Sequence, residues 1–292
     1  MKAAVIGLGS MGQKHYKILK QFKNLDVYSV DPASQMSNYK TTQDLLNDVQ
    51  IDFAVIATPT IMHYDIALQL INSSVNILIE KPIFKEYLSF FQRQNLEDAL
   101  KDNSCKLAVG HIERFNPAVE ALKKDLKGKK IINCRFTRLS PYPKRITDVG
   151  VKMDLAVHDI DLVRFITGEE ILNCSSLDSK TKSANEDTTS FFVSTYGGCS
   201  STILCSWMSP YRERTIQVMT ECSLYKVDLI THTVSRYVAD QQVNSFFAED
   251  LKVVKHNALE KELKQFMEYV KIGSVGSLAT LNDGIEAIKY CI

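Results

Sequence analysis

The sequence predicts two domains: an N-terminal α/β domain built on a parallel sheet, then an α+β domain with a large, mostly antiparallel sheet. Three observations carry this prediction. The first third of the chain alternates short apolar runs with helical patterns, which implies βαβ crossovers. A glycine-rich turn, Gly7-Leu8-Gly9-Ser10-Met11-Gly12, follows the first apolar run directly. The second half strings β-rich runs together through turns such as Gly197-Gly198, with no long helix between them.

Taken in order, residues 3–6 form a continuous apolar run ended by glycine, as a buried parallel strand requires. Residues 14–22 have helical spacing through Tyr16, Leu19 and Phe22. Residues 27–30 read as a second strand, stopped by Asp31-Pro32. Leu45, Leu46 and Val49 mark a short helix, and residues 53–57 a third strand ending at Thr58-Pro59. A helix over 66–71, a strand over 76–79, a helix over 90–100 and a strand over 107–109 follow, closed by Gly110. Pro117 marks the domain boundary, because the residue before proline resists helix, which gives domains of 1–117 and 118–292. Beyond it, residues 131–139, 188–195, 201–207, 215–220 and 224–237 read as strands. A helix over 154–166 stops at Thr167-Gly168. A late helix over 259–270 places Leu259, Leu263, Phe266 and Val270 on one face, with Gly273 beyond its end. Trp207 reads as core, and Tyr142 between two prolines as a rigid turn.

A chain of 292 residues suits two domains at roughly 100–200 residues each. The 45% apolar and 24% charged fractions are ordinary for a globular protein. A net charge of +1, from 35 basic and 34 acidic side chains, gives no electrostatic reason to expect nucleic acid or an anionic membrane as partner. The run Lys123, Lys124, Lys127, Lys129 and Lys130 reads as a solvated helix end near Gly128. The seven cysteines are odd in number and lack Cys-x-x-Cys spacing, so neither a disulfide framework nor a metal site is expected. Reduced thiols suit the cytoplasm. The N-terminal apolar stretch is broken too soon for a secretory signal, and no run approaches the ~18 apolar residues of a membrane span.

Gly7, Gly9 and Gly12, with Ser10 and Met11 between them, fit G-x-G-x-x-G between a strand and a helix, the dinucleotide fingerprint of a Rossmann domain. Gly7 allows the tight turn, Gly9 lets main-chain N–H groups approach a pyrophosphate, and Gly12 lets the helix pack close to the strand. The helix N-terminus then faces the anion. The acidic residue expected about 20 positions on is Asp31. A carboxylate there accepts hydrogen bonds from ribose hydroxyls and repels a 2′-phosphate, which favours NAD over NADP.

Ala57-Thr58-Pro59-Thr60 with His63 close behind, then Glu80-Lys81-Pro82, then Asp154-Leu155-Ala156-Val157-His158-Asp159-Ile160-Asp161, extend the pattern along nearly the whole chain. In this order the motifs resemble the glucose–fructose oxidoreductase / inositol dehydrogenase (Gfo/Idh/MocA) family. Residues 110–117 and 148–151 resemble its nucleotide-sugar branch, the UDP-N-acetylglucosamine 3-dehydrogenases. One departure is Ile83-Phe84-Lys85-Glu86-Tyr87-Leu88, bulkier than the small-residue turn of the family.

The resemblance implies that Lys81, Asp154 and His158 form the catalytic centre of a sugar dehydrogenase. The residue types suit that chemistry. Oxidising a secondary alcohol moves a hydride to the cofactor and releases a proton that the protein must take. Histidine suits a general base, which makes His158 the candidate. Asp154, four residues earlier on a helix, shares its face and orients the imidazole or the substrate. Lys81 follows the fourth strand, at the carboxyl end of a parallel sheet where ligands bind, and its ammonium polarises the reacting oxygen. Thr58, Pro59 and His63 are expected to shape the nicotinamide pocket, Glu80 and Lys81 to bind the cofactor, and Arg114 to meet a cofactor or substrate phosphate. Asp159 and Asp161 read as structural, and Lys144 and Arg145 as surface side chains with a nucleotide diphosphate as the alternative. His15 and His232 carry no signal. The expected reaction is oxidation at C3 of a UDP-linked N-acetylhexosamine. The alternatives are a free polyol or monosaccharide such as an inositol, or a catalytically inactive cofactor-binding regulatory protein. The resemblance also implies a homodimer or homotetramer formed through the open sheet.

Overall fold

A computed structural model of the protein describes residues 1–143, 149–182, 184–240 and 245–292. These form two compact units. The first contains strands β1 (Lys2–Ile6), β2 (Asp26–Val30), β3 (Phe53–Ile56), β4 (Asn76–Glu80) and β5 (Leu107–Gly110), alternating with helices α1 (Ser10–Leu19), α2 (Thr42–Asp48), α3 (His63–Asn72) and α4 (Phe90–Asp102). All neighbours pair in parallel, in the order β2-β1-β3-β4-β5. Ala3 to Ile6, Phe53 to Ile56 and Ile77 to Ile79 are buried, because helices cover both faces of such a sheet, and that is why these strands read as unbroken apolar runs.

The second unit begins with a 3-10 turn over Ile112–Phe115 and helix α5 (Pro117–Asp125). Here Pro117 opens a helix instead of separating domains: Asn116 caps it and proline takes the first helical position. Strand β6 (Ile131–Leu139) precedes a π-helical turn, Lys152–Ala156, which runs into α6 (Val157–Thr167). Helix α6 ends on Gly168 in the left-handed region, at φ 72°. The remaining strands are β7 (Ile171–Ser179), β8 (Thr188–Thr195), β9 (Ser200–Ser206), β10 (Glu213–Thr220), β11 (Ser223–Asp228), β12 (Thr233–Asp240) and β13 (Ser245–Asp250). The eight-stranded sheet has the order β13-β12-β11-β10-β6-β9-β8-β7 and is antiparallel except where β6 meets β9. The β-run expected over 224–237 is two strands, with a turn between them in which His232 takes φ 58°.

Helices α7 (Ala258–Ile272) and α8 (Leu281–Lys289) close the chain. Residues Leu259–Ile288 belong to the first unit, and the units divide after His111, so the single cut at 117 expected from sequence differs from the architecture twice. The reason is packing: Phe266 of α7 meets Phe53 of β3 edge-on at 5.6 Å, and Ala279 bridges to Val109 of β5. Among the described residues no helix is long and apolar enough to cross a membrane, and no group of three or more His, Cys, Asp or Glu is placed to hold a metal.

Candidate active site

In the first unit the glycine loop joins β1 to α1. Gly7 has φ +91°, and a Cβ there would lie 2.7 Å from the Ala57 carbonyl oxygen. At Gly12 a Cβ would lie 1.8 Å from the Gly7 carbonyl oxygen, so helix and loop approach as closely as glycine alone permits. A Cβ on Gly9, by contrast, would meet nothing within 4 Å, which leaves open space over the turn. Ser10 and Met11 begin α1. Asp31, just beyond β2, holds this loop: its Oδ2 accepts the Leu8 N–H at 2.7 Å, and its Oδ1 accepts the N–H groups of Ala33 and Ser34 at 2.9 Å. Burial opposes the charge, but these three donors and Lys40 outweigh it and hold the carboxyl below its usual range.

Thr58, Pro59 and His63 lie beyond β3. Thr58 Oγ1 is buried with no hydrogen-bond partner among the described residues. His63 is buried, with Nδ1 facing the Ile83 carbonyl and Nε2 the Thr58 carbonyl, each at 3.0 Å. Burial lowers its pKa, against the pull of those carbonyls. Its ring therefore staples the loop after β3 to the turn after β4. The open space over Gly9, the strand-to-helix loop and the orphaned Thr58 hydroxyl fit a dinucleotide cofactor.

Glu80 ends β4 and is buried. His15 Nε2 donates to its Oε1 at 2.6 Å, and the Lys81 N–H to its Oε2 at 3.2 Å. Burial works against the ionised form, yet His15 and then Lys81 hold this carboxyl below its usual range. Gly110, paired with Glu80 across the sheet, makes room: a Cβ would sit 3.3 Å from the carboxylate. Lys81 itself is half-buried at the carboxyl end of β4. His15, silent in the sequence, is thus a buried partner of the Glu-Lys-Pro motif; its position one turn beyond Gly12, on the helix that packs against β1, was the available clue.

In the second unit, Asp154 lies in the π-helical turn and His158 in the first turn of α6. The sequence pattern suggested one continuous α-helix there. The π-turn changes the angular offset between them from that of a regular α-helix, a local irregularity that recurs at functional sites. Both side chains are half-buried, while Met153, Leu155, Ala156, Val157, Asp159 and Ile160 are buried. Asp159 and Asp161 anchor this segment. Asp159 receives Arg138 Nε at 2.9 Å and NH2 at 2.7 Å, and Arg138 NH1 reaches Glu113 at 2.8 Å. Asp161 receives Arg114 Nε at 2.8 Å and NH2 at 2.5 Å, and the Arg114 guanidinium lies 4.9 Å from the Phe165 ring centre. Arg114, expected on a phosphate, is therefore buried in a bidentate ion pair that ties the 3-10 turn to α6. Neither Glu113 nor Arg138 carries a role that local sequence pattern assigns. Arg138 does share the inward parity of Cys134 and Phe136 on β6, and a charge at such a position signals a buried partner. Lys144 and Arg145 lie outside the described residues, as does Asp148.

A parallel sheet, a tight glycine loop and a carboxylate just beyond the second strand define the class: a dinucleotide-binding Rossmann protein. Residues 1–111 match the family model for the oxidoreductase family with an NAD-binding Rossmann fold, and residues 130–224 match the GFO/IDH/MocA C-terminal domain. The chain belongs to the Gfo/Idh/MocA family of oxidoreductases. It is 24% identical over 283 residues to UDP-N-acetylglucosamine 3-dehydrogenase of Acidithiobacillus ferrooxidans, covering 92% of this chain and 88% of that one. It is 25% identical over 301 residues to the NAD-dependent scyllo-inositol 2-dehydrogenase of Bacillus subtilis, covering 94% and 87%. The fold superposes on a solved structure of the Acidithiobacillus enzyme with a TM-score of 0.89 at 21% identity, over 100% of this chain and 95% of that one. An Agrobacterium radiobacter oxidoreductase solved with NAD+, L-tartaric acid and magnesium gives 0.83 at 16% identity, over 100% and 94%.

Proposed function

We propose that this protein oxidises a secondary hydroxyl of a sugar to a ketone with NAD+, and that its substrate is a UDP-linked N-acetylhexosamine oxidised at C3. The observation that carries the chemistry is the placement of a half-buried Asp154 and a half-buried His158 on a π-turn and the helix that continues it, a segment anchored by buried ion pairs. The near full-length similarity to a UDP-N-acetylglucosamine 3-dehydrogenase supports the substrate. Asp31 supports NAD over NADP, since a carboxylate after the second strand of this fold suits ribose hydroxyls and would repel a 2′-phosphate.

NAD+, when bound, takes the hydride. His158 accepts the hydroxyl proton, Asp154 hydrogen-bonds the substrate or orients the imidazole, and the Lys81 ammonium stabilises the developing negative charge on oxygen. The Glu80–His15 pair acts on Lys81 through its main chain. In a thermal-shift experiment with NAD+ or NADP+, each with and without UDP-N-acetylglucosamine, NAD+ is expected to raise the melting temperature and the UDP-sugar to raise it further. Turnover of the His158→Ala enzyme is expected to fall by about 10²–10⁴-fold, the usual worth of a general base. A shift with NAD+ but none with the UDP-sugar would move the substrate to a free polyol, in line with the inositol dehydrogenase among its relatives. Wild-type turnover in the His158 variant would overturn its assignment as base.

We also infer a homo-oligomer that uses the open face of the eight-stranded sheet. On that face Leu177, Phe192, Leu204 and Met219 are 72%, 56%, 38% and 45% exposed, an apolar surface of the kind that marks an interface. Light scattering at micromolar concentration is expected to give a dimer or tetramer; a monomer would refute it.

A further inference from the structure

Glu186, in the turn between β7 and β8, reaches the first residues of the π-helical turn. Its main-chain carbonyl accepts the Val151 N–H at 2.9 Å, and its Oε1 accepts the Lys152 N–H at 3.2 Å. The opening N–H groups of a helical segment have no partner within it, and Val151 makes no side-chain cap. A carboxylate brought from another element therefore supplies the missing cap, at the end of the helix where negative charge is favoured. Gly150 fits the same arrangement: a Cβ there would lie 2.0 Å from Glu186 Oε1 and 2.2 Å from its carboxyl carbon. The Gly150 carbonyl in turn accepts the Asp154 N–H at 3.1 Å.

The same hairpin grips the next side chain. Lys152 Nζ lies 2.8 Å from Asp178 Oδ2 on β7, and Thr189 on β8 donates to Asp178 Oδ1 at 2.6 Å. Asp187, buried beside Glu186, orders the turn by accepting the Thr181 N–H at 2.7 Å and the Lys182 N–H at 2.6 Å through Oδ2. These two bonds order the chain next to Glu186 without using the segment it caps.

We propose that Glu186, with Gly150 as the space it needs, is a positioning residue for the reaction: it sets the π-helical turn so that Asp154 and His158 are presented to substrate. This rests on the reading above that those two residues carry the chemistry. A displacement of about 1 Å at reacting groups costs on the order of 10²-fold in rate. Glu186→Ala is therefore expected to lower kcat by about 10–100-fold, with the Kd for NAD+ and the melting temperature close to wild type. Glu186→Gln keeps the Oε1 acceptor and is expected to restore most of the rate. Gly150→Ala displaces the flexible carboxylate and is expected to match Glu186→Ala. The double variant should lose no more than either, because both remove one interaction.

Wild-type kcat and KM in Glu186→Ala, with His158→Ala inactive beside it, would overturn this inference alone. So would a loss of rate in Glu186→Ala that tracks a loss of folded protein and is not restored by Gln. Full activity in His158→Ala would instead overturn the reading on which it rests.

Discussion

Replacing Arg138 with methionine is expected to destabilise the second unit by about 3–5 kcal/mol, the usual effect of removing one partner from a buried ion pair. Arg138 is 2% exposed, and its guanidinium bridges Glu113 and Asp159. Methionine fills much of the volume but leaves both carboxylates in the interior; Asn116, Cys205 and a longer contact from Arg214 at 3.4 Å are what remain for them. At roughly 2–4 °C per kcal/mol for a unit of this size, the melting temperature should fall by about 6–20 °C. Arg138→Lys keeps the charge but loses the planar fork, and should fall between the two.

The pH dependence has a definite sign. Burial raises the Glu113 carboxyl, but the charge and hydrogen bond of Arg138 outweigh it and hold it below the ordinary 4.5. A group depressed in the folded state contributes stability above its unfolded pKa, and that contribution is lost as pH falls through the folded one. The wild-type contribution is therefore full above about pH 4.5 and lost below it, while the deficit of the methionine variant is greatest near neutrality and shrinks as pH falls, because its unpaired buried carboxyls take up protons. A variant within 1 kcal/mol of wild type at pH 7 would show that the bridge adds little.

Glu262 has the opposite effect. It lies on α7 at 0% exposure, and neither carboxyl oxygen has a hydrogen-bond partner among the described residues. Burial, and then the negative charge of Glu80, hold its carboxyl well above the ordinary 4.5. A group raised in the folded state contributes fully below its unfolded pKa, and that contribution is lost as pH rises through the folded one. At neutral pH the unfolded chain gains from ionising Glu262 and the folded chain does not. Glu262→Leu is expected to stabilise the first unit at pH 7–8 by about 1–3 kcal/mol, the cost of an unpaired buried polar group. The advantage should shrink towards pH 4.5. Glu262→Gln retains the polarity and removes the proton, so it should flatten the pH dependence with a smaller gain. Melting temperatures from pH 5 to 8.5 measure both; a leucine variant less stable than wild type across that range would mean that the carboxyl is satisfied.

Some of these features are visible in the chain before folding. Glu262 falls on the same helical face as Leu259, Leu263 and Phe266, a polar residue on an apolar stripe. The five parallel strands were readable as apolar runs ended by glycine or proline. By contrast β13 is exposed along its whole length and β7 buries only Ile171, so neither shows the alternation that marks a half-buried strand. The return of α7 and α8 to the first unit left no trace in local pattern, because an amphipathic helix specifies that it must be covered but not by which sheet.

The sequence by itself determined the alternating α/β unit, the glycine loop with its acidic follower, the β-rich second half and the family. Each depends on a few neighbouring residues whose period or backbone freedom is a local property. Only the tertiary structure decided which polar groups are buried together. His15 meets Glu80 across 65 positions and Arg138 meets Glu113 across 25. Such pairings arise when a shared core excludes water from groups that must then satisfy one another, and that constraint exists only once the chain has closed on itself.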